Sequence, residues 1–197
     1  MQIDLLRHGE CEGGAIFRGS LDVALTDQGW QQMQNGLAQL NAGWDAIVSS
    51  PLIRCNRFAT AVADQTGLEL QQEPDLREIC FGQWEGQSVE RIWREQAELC
   101  NRWSRGPDRV TPPAGEPFLQ FRARVLRAVA ALAQRYAQQR LLLVTHGGVI
   151  KLLLTEALNT GAAGMMQQDV GYGFSASMLV SGETLTLKEP LKLTARQ

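Results

Sequence analysis

At 197 residues, with 44% hydrophobic and 20% charged, the chain can bury a core without disulfide or metal staples and suits a single domain. A formal charge of −2 removes any global pull towards a nucleic acid polymer or an anionic membrane, and no apolar run approaches the roughly 20 residues that span a bilayer. Four cysteines without a CxxC pair or a His/Cys cluster argue against a disulfide framework and a zinc site; with no apolar signal core, they predict a cytoplasmic protein.

Residues 2–7 read as a buried strand that runs into a Gly-rich loop. Thr26 is the expected N-cap of a helix from Asp27 to about Leu40. Residues 45–49 form a second short strand, and Ser50-Pro51 predicts a serine-capped helix with Arg54 in its first turn, ending near Gly67. Residues 68–72 read as a third strand, and 75–86 as an irregular stretch rich in Gly and aromatics. A helix over 88–103 and a Pro/Gly loop over 106–117 follow. Phe121, Val125, Val129, Leu132 and Tyr136 then recur at helical spacing, with Arg122, Arg124 and Arg135 mostly elsewhere on the wheel. Strand 140–145, helix 148–159 and a hairpin over 177–187 complete the chain. The alternation predicts an α/β fold of three layers, a mainly parallel sheet with helices on both faces. It is expected to be one domain, 1–197, with a helical insertion at about 86–117 over the active site.

The chain has only two histidines, and their contexts match. His8 ends the run Ile3-Asp4-Leu5-Leu6-Arg7 and precedes Gly9; His146 ends Leu141-Leu142-Leu143-Val144-Thr145 and precedes Gly147. Open α/β sheets hold ligands at the carboxyl ends of their strands, so two such runs bring two imidazoles to one rim.

Leu5-Leu6-Arg7-His8-Gly9-Glu10 resembles the first block of the histidine phosphatase superfamily, also called phosphoglycerate-mutase-like. Ser49-Ser50-Pro51-Leu52-Ile53-Arg54 is similar to its second block, Leu76 to Gly86 to its third, and Thr145-His146-Gly147-Gly148 to its fourth. Four ordered blocks cover nearly the whole chain. The resemblance implies a phosphate-binding arginine at Arg54 and an acid at Glu78.

The chemistry of a phosphate monoester fits those positions. The reaction needs an in-line nucleophile, charge compensation on the equatorial oxygens, and protonation of a poor leaving group. Neutral His8 is the expected nucleophile, its other ring nitrogen donating to a carbonyl of the Gly-rich loop. Arg7 and Arg54 are expected to bind phosphoryl oxygens, with His146 as a further donor once protonated beside the anion. Glu78 is the expected general acid, with Phe81 and Trp84, close in sequence, favouring its protonated form by desolvation. Glu10 is assigned to loop hydrogen bonds, Glu116 to capping or bracing the insertion, and Arg18 with Gly19 to the substrate side, with a loop-surface role as the alternative for Arg18. No cofactor or metal is implied. Cys-x5-Arg, Gly-Lys, Asp-x-Asp and Gly-x-Ser-x-Gly are all absent, which excludes other phosphatase and hydrolase designs.

Gly19 to Gly29 resembles the segment that follows the first block in α-ribazole phosphatases, and Pro112-Pro113-Ala114-Gly115-Glu116 is similar to another of their segments. The expectation is a metal-independent hydrolase acting on a small phosphorylated metabolite, α-ribazole 5′-phosphate. A broad small-metabolite phosphatase and a phosphoglycerate mutase stand as alternatives. A non-catalytic binder would need neither His8 nor Glu78. Nothing in the sequence separates a monomer from a homodimer.

Overall fold

The central strands are apolar at nearly every position, so the sheet they form must be covered on both faces. The computed structural model describes residues 1–188. In chain order it contains β1 (Gln2–Arg7), α1 (Asp27–Ala38), β2 (Ala46–Ser49), α2 (Ile53–Thr66), β3 (Leu70–Gln72), α3 (Val89–Glu95), α4 (Ala97–Arg105) and α5 (Phe118–Arg135). β4 (Arg140–Thr145), α6 (Gly147–Leu158), β5 (Ser175–Ser181) and β6 (Thr184–Leu187) follow. The strands form one sheet in the order β3-β2-β4-β1-β5-β6. The first four are parallel, whereas β5 and β6 add an antiparallel edge.

Alternate strand residues separate two cores. Ile3, Leu5, Val48, Leu141 and Leu143 pack with Phe121, Val125 and Val129 of α5 and Val149 and Leu153 of α6. Leu6, Ile47, Leu142 and Val144 pack on the other face with Met33 of α1 and Phe58 and Val62 of α2. Asp4 interrupts the apolar run of β1 and is fully buried. Its carboxylate takes Trp44 Nε1 at 2.7 Å, Arg140 Nε at 2.8 Å and Ser177 Oγ at 2.6 Å, so the buried charge is satisfied from β4, β5 and the segment before β2.

Thr26 caps α1 by accepting the Gly29 amide at 2.9 Å, and α1 stops at Ala38, short of Leu40. Two helix expectations change. α2 begins at Ile53 after Leu52, without a side-chain cap from Ser50; the Ile53 amide is met instead by Asp22 Oδ1 at 2.6 Å. The helix expected over 88–103 is two, broken at Gln96 (φ −129°, ψ 37°), whose side chain accepts the indole N–H of buried Trp84 at 2.9 Å. That tertiary bond outranks local helix propensity. Among the described residues no helix is long and apolar enough to cross a membrane.

Candidate active site

Strand register does most of the assembly. Arg7 pairs with Thr145 in the parallel β1–β4 ladder, so the next residues, His8 and His146, leave neighbouring strands side by side. The His8 amide donates to the Thr145 carbonyl at 3.0 Å, and the Ser50 amide to Val144 at 3.0 Å, so β2 ends at the same level. The two imidazoles meet edge to face with centroids 5.3 Å apart, and both are buried.

His8 Nδ1 lies 2.8 Å from the Gly9 carbonyl, which can only accept. The proton therefore sits on Nδ1 and the Nε2 lone pair is free. Desolvation above all, then the charges of Arg7 and Arg54, hold the His8 pKa well below 6.5. The ring is neutral, as a nitrogen nucleophile must be.

His146 is neutral for the same reasons, burial first and then Arg54, His8 and Arg7. Its Nδ1 accepts Arg54 Nε at 3.2 Å, which places the ring proton on Nε2, 2.7 Å from Ser50 Oγ. Without an anion the ring is thus neutral and its one N–H is the donor it offers; the expectation from sequence concerned the ring beside a bound anion, which would favour the charged form.

Arg54 is buried and organises three segments. Besides His146, it donates Nη1 to Leu21 O at 2.6 Å and Nη2 to Gly19 O at 2.7 Å. Arg7 donates Nη1 to Val170 O at 2.6 Å, and desolvation lowers its pKa, partly offset by Glu78 and Tyr172. Its Nε is buried with no hydrogen-bond partner among the described residues. A buried charged donor left unpaired is costly, and an anion would satisfy it.

Glu78 is half-buried between two amides: Oε1 accepts Ile79 N at 3.0 Å, and Oε2 accepts Gly148 N at 2.9 Å. A Cβ on Gly148 would overlap Oε1, so glycine is what lets the carboxylate approach the first turn of α6. Of the expected apolar wall, Trp84 packs edge-on and tilted against Trp103 and Phe17 in a separate aromatic cluster, while Phe81 lies against both that cluster and the main core. The Glu78 backbone is held by a side chain of α5, Arg124, which is in turn paired with Glu116 just before that helix. Arg124 donates to the carbonyls of Asp75 (2.6 Å), Arg77 (2.8 Å) and Glu78 (3.0 Å), and pairs with both oxygens of Glu116 at 2.6 and 2.9 Å. Glu116 also accepts the Cys80 amide at 3.3 Å.

Arg18 is placed differently from the substrate-side expectation. It is buried, and its Nη2 serves the carbonyls of Cys11, Glu12 and Gly14, gathering the loop around one guanidinium. Gly19 is also buried; its carbonyl faces Arg54. Glu10 accepts Thr26 Oγ1 at 3.1 Å, and Glu85 accepts Ser20 N, Ser20 Oγ and Phe81 N, joining the two loops. Ser50, Arg124 and Tyr172 are site residues that sequence reasoning did not single out. The Tyr172 ring lies 4.5 Å from Arg7 Cζ and 6.0 Å from the His8 ring. Among the described residues no group of three His, Cys, Asp or Glu side chains is arranged to hold a metal ion.

Neutral, buried imidazoles at adjacent strand ends, with two guanidiniums beside them in a six-stranded sheet flanked by helices, are the architecture of phosphoglycerate-mutase-like α/β enzymes. Residues 3–187 match the model of the histidine phosphatase superfamily (branch 1). The chain belongs to that superfamily and is a phosphatase. It is 30% identical to the adenosylcobalamin/alpha-ribazole phosphatase of Escherichia coli (strain K12), over 95% of this chain and 94% of that one. Among solved structures, the alpha-ribazole phosphatase from Shigella flexneri superposes with a TM-score of 0.81 at 29% identity, covering 95% of each chain. Bacillus stearothermophilus YhfR superposes at 0.86 and 26% identity, covering 96% of each.

Proposed function

We propose that the protein hydrolyses a small phosphomonoester through a phosphohistidine at His8, and that its ester is α-ribazole 5′-phosphate. The observation that carries the mechanism is the neutral His8, its proton on the carbonyl side, in a site where the half-buried Arg7 keeps a buried, unpaired Nε. Arg7, Arg54 and the Nε2–H of His146, turned from Ser50, bind the phosphoryl oxygens. His8 Nε2 attacks phosphorus in line as the P–O bond to the leaving group breaks. Glu78, carrying a proton in the substrate complex, delivers it to the departing oxygen. Its carboxylate then takes a proton from water as that water attacks phosphorus, the P–N bond breaks, and neutral His8 and inorganic phosphate are regenerated. Charge on the phosphoryl oxygens is met by guanidiniums, so the reading is metal-free, and prolonged chelation is expected to leave turnover intact.

The substrate assignment draws on the two α-ribazole phosphatases to which the chain is similar. The insertion at about 86–117 acts as a cover on the same single domain, 1–197, whose last nine residues lie outside the described ones. Hydrogen bonds from Phe17 to Gln87 and from Val89 to Ala15 tie it to the loop after β1. A cytoplasmic setting accords with four free cysteines.

Mixing enzyme with 32P-labelled ester and quenching under denaturing alkaline conditions is expected to trap label on the protein that is stable to base and labile to acid. No trapped label, or label that survives acid, removes the phosphohistidine. A panel of α-ribazole 5′-phosphate, sugar phosphates and nucleotides tests the substrate: kcat/KM for α-ribazole phosphate should stand highest. A flat panel favours a broad phosphatase, and isomerisation of 3-phosphoglycerate without phosphate release would overturn hydrolysis itself.

A further inference from the structure

The turn between the last helical turns and β5 carries an aromatic with no place in the core. Tyr172 is 39% exposed, yet the residues around it are fixed. Phe174 N donates back to Gly171 O at 3.1 Å, closing a turn whose third residue, Gly173, has φ +70°, a position that favours glycine. A Cβ on Gly173 would overlap the Gln32 carbonyl of α1, so the turn is wedged against that helix. Phe174 O accepts the Arg7 amide at 2.8 Å, which ties the turn to the end of β1. The ring itself lies against the Arg7 guanidinium and beside His8.

This is a rigidly mounted flat surface at the mouth of a phosphoryl site. The cation–π contact with Arg7 orients the ring, and the part that Arg7 and His8 leave uncovered is open to solvent. Tyr172 lies against Arg7 and beside His8, the two residues that meet the phosphoryl group and its phosphorus, so the ring borders the space into which the rest of an ester extends. A polar leaving group gains little from such a surface; a planar one stacks on it.

We propose that Tyr172 forms a leaving-group subsite, a platform that favours esters carrying a planar ring a few bonds from phosphorus. The proposal rests on the phosphatase reading above and adds a selectivity that the phosphoryl pocket alone does not confer. It separates from a purely positioning role, in which Tyr172 would only hold Arg7, because a misplaced Arg7 slows every ester alike.

The test compares 2-phenylethyl phosphate with 2-cyclohexylethyl phosphate, esters of equal carbon count and similar alkoxide basicity that differ in ring planarity. The wild-type kcat/KM ratio is expected to favour the phenyl ester by about tenfold, the effect of roughly 1.4 kcal/mol. Tyr172→Phe should keep the ratio, and Tyr172→Leu should bring it close to one, mainly through KM. Any general loss from a disturbed Arg7 cancels in the ratio. If Tyr172→Leu does not fold, Tyr172→Ala provides the same reading. A wild-type ratio near one, or a ratio that survives removal of the ring, overturns the subsite while leaving the phosphatase reading intact. Failure of the wild-type enzyme to release phosphate from any ester brings down both.

Discussion

The two halves of the site are built on different principles. His8, Arg7 and His146 stand at the ends of paired parallel strands, where the ladder that aligns Arg7 with Thr145 also aligns the imidazoles. Glu78 stands on an irregular segment, and its place depends on clamps outside any ladder: Arg124 on its carbonyl, Glu116 behind Arg124, and the Gly148 amide on its carboxylate. A backbone ladder tolerates the loss of a side chain at its end, whereas a clamped loop does not. Substitution in the first half should therefore remove chemistry and spare the fold; substitution in the second should disturb both.

The sharpest contrast comes from His8→Ala. Hydrolysis of any phosphomonoester should fall by roughly 10^4-fold or more, as when a covalent nucleophile is removed, with the thermal midpoint held or raised because a buried imidazole is gone. Turnover within tenfold of wild type would eliminate His8 as the attacking group.

Next in size is Glu78→Gln, where the loss should depend on the leaving group. Alkyl phosphates need a proton on the departing oxygen and should lose about 10^2- to 10^4-fold. Aryl phosphates leave more readily and should lose far less. Equal losses for 4-nitrophenyl and alkyl esters would take the acid role from Glu78.

Arg124→Ala probes the clamp directly. Arg124 and Glu116 are mostly shielded, at 13% and 17% side-chain exposure, while the Arg91–Glu95 pair on α3 stands at 58% and 46%. Removing Arg124 strands three carbonyls and leaves the Glu116 carboxylate with the Cys80 amide and no counter-charge from Arg124, so urea unfolding should show a loss of about 3–5 kcal/mol. Arg91→Ala should cost about 0.3–0.5 kcal/mol. The surviving Arg124→Ala enzyme should share the alkyl-over-aryl defect of Glu78→Gln. Similar costs for the two arginines would show that the loop is held by something else.

The same division governs what could be read from the chain. The strand-end half was legible because its information is local: an apolar run, then His-Gly, twice. The sheet and its two-sided cover followed from the same runs. Ser50 was read as a helix cap from its neighbour Pro51, but its hydroxyl serves His146, 96 positions away. Arg124 looked like one more solvent-facing arginine on an amphipathic helix, since its contact with Glu78 spans 46 positions and follows no helical spacing. Phe81 and Trp84 suggested an apolar wall for Glu78 through sequence proximity alone, and the turn at Gly82–Trp84 directs the indole into the Phe17 cluster.

The smallest expected effect lies in the acid stability of the strand-end half. Both imidazoles have pKa values in the folded protein well below 6.5, and in the unfolded chain they return to about that value. Below pH 6.5 the unfolded state therefore binds more protons, so stability is fully present above that pH and is lost as pH falls towards the folded values. Each imidazole contributes a slope of at most about 1.4 kcal/mol per pH unit in that window. His146→Gln keeps a hydrogen-bonding side chain at the site and removes one of the two protons from the balance. Urea unfolding between pH 7 and 5 should show the variant losing stability less steeply than wild type, by up to that one-proton slope. Inorganic phosphate, by favouring the charged rings, should shallow the wild-type slope further. Identical slopes for wild type and variant would mean that His146 is already protonated in the folded protein, and the neutral ring accepting from Arg54 would have to be abandoned.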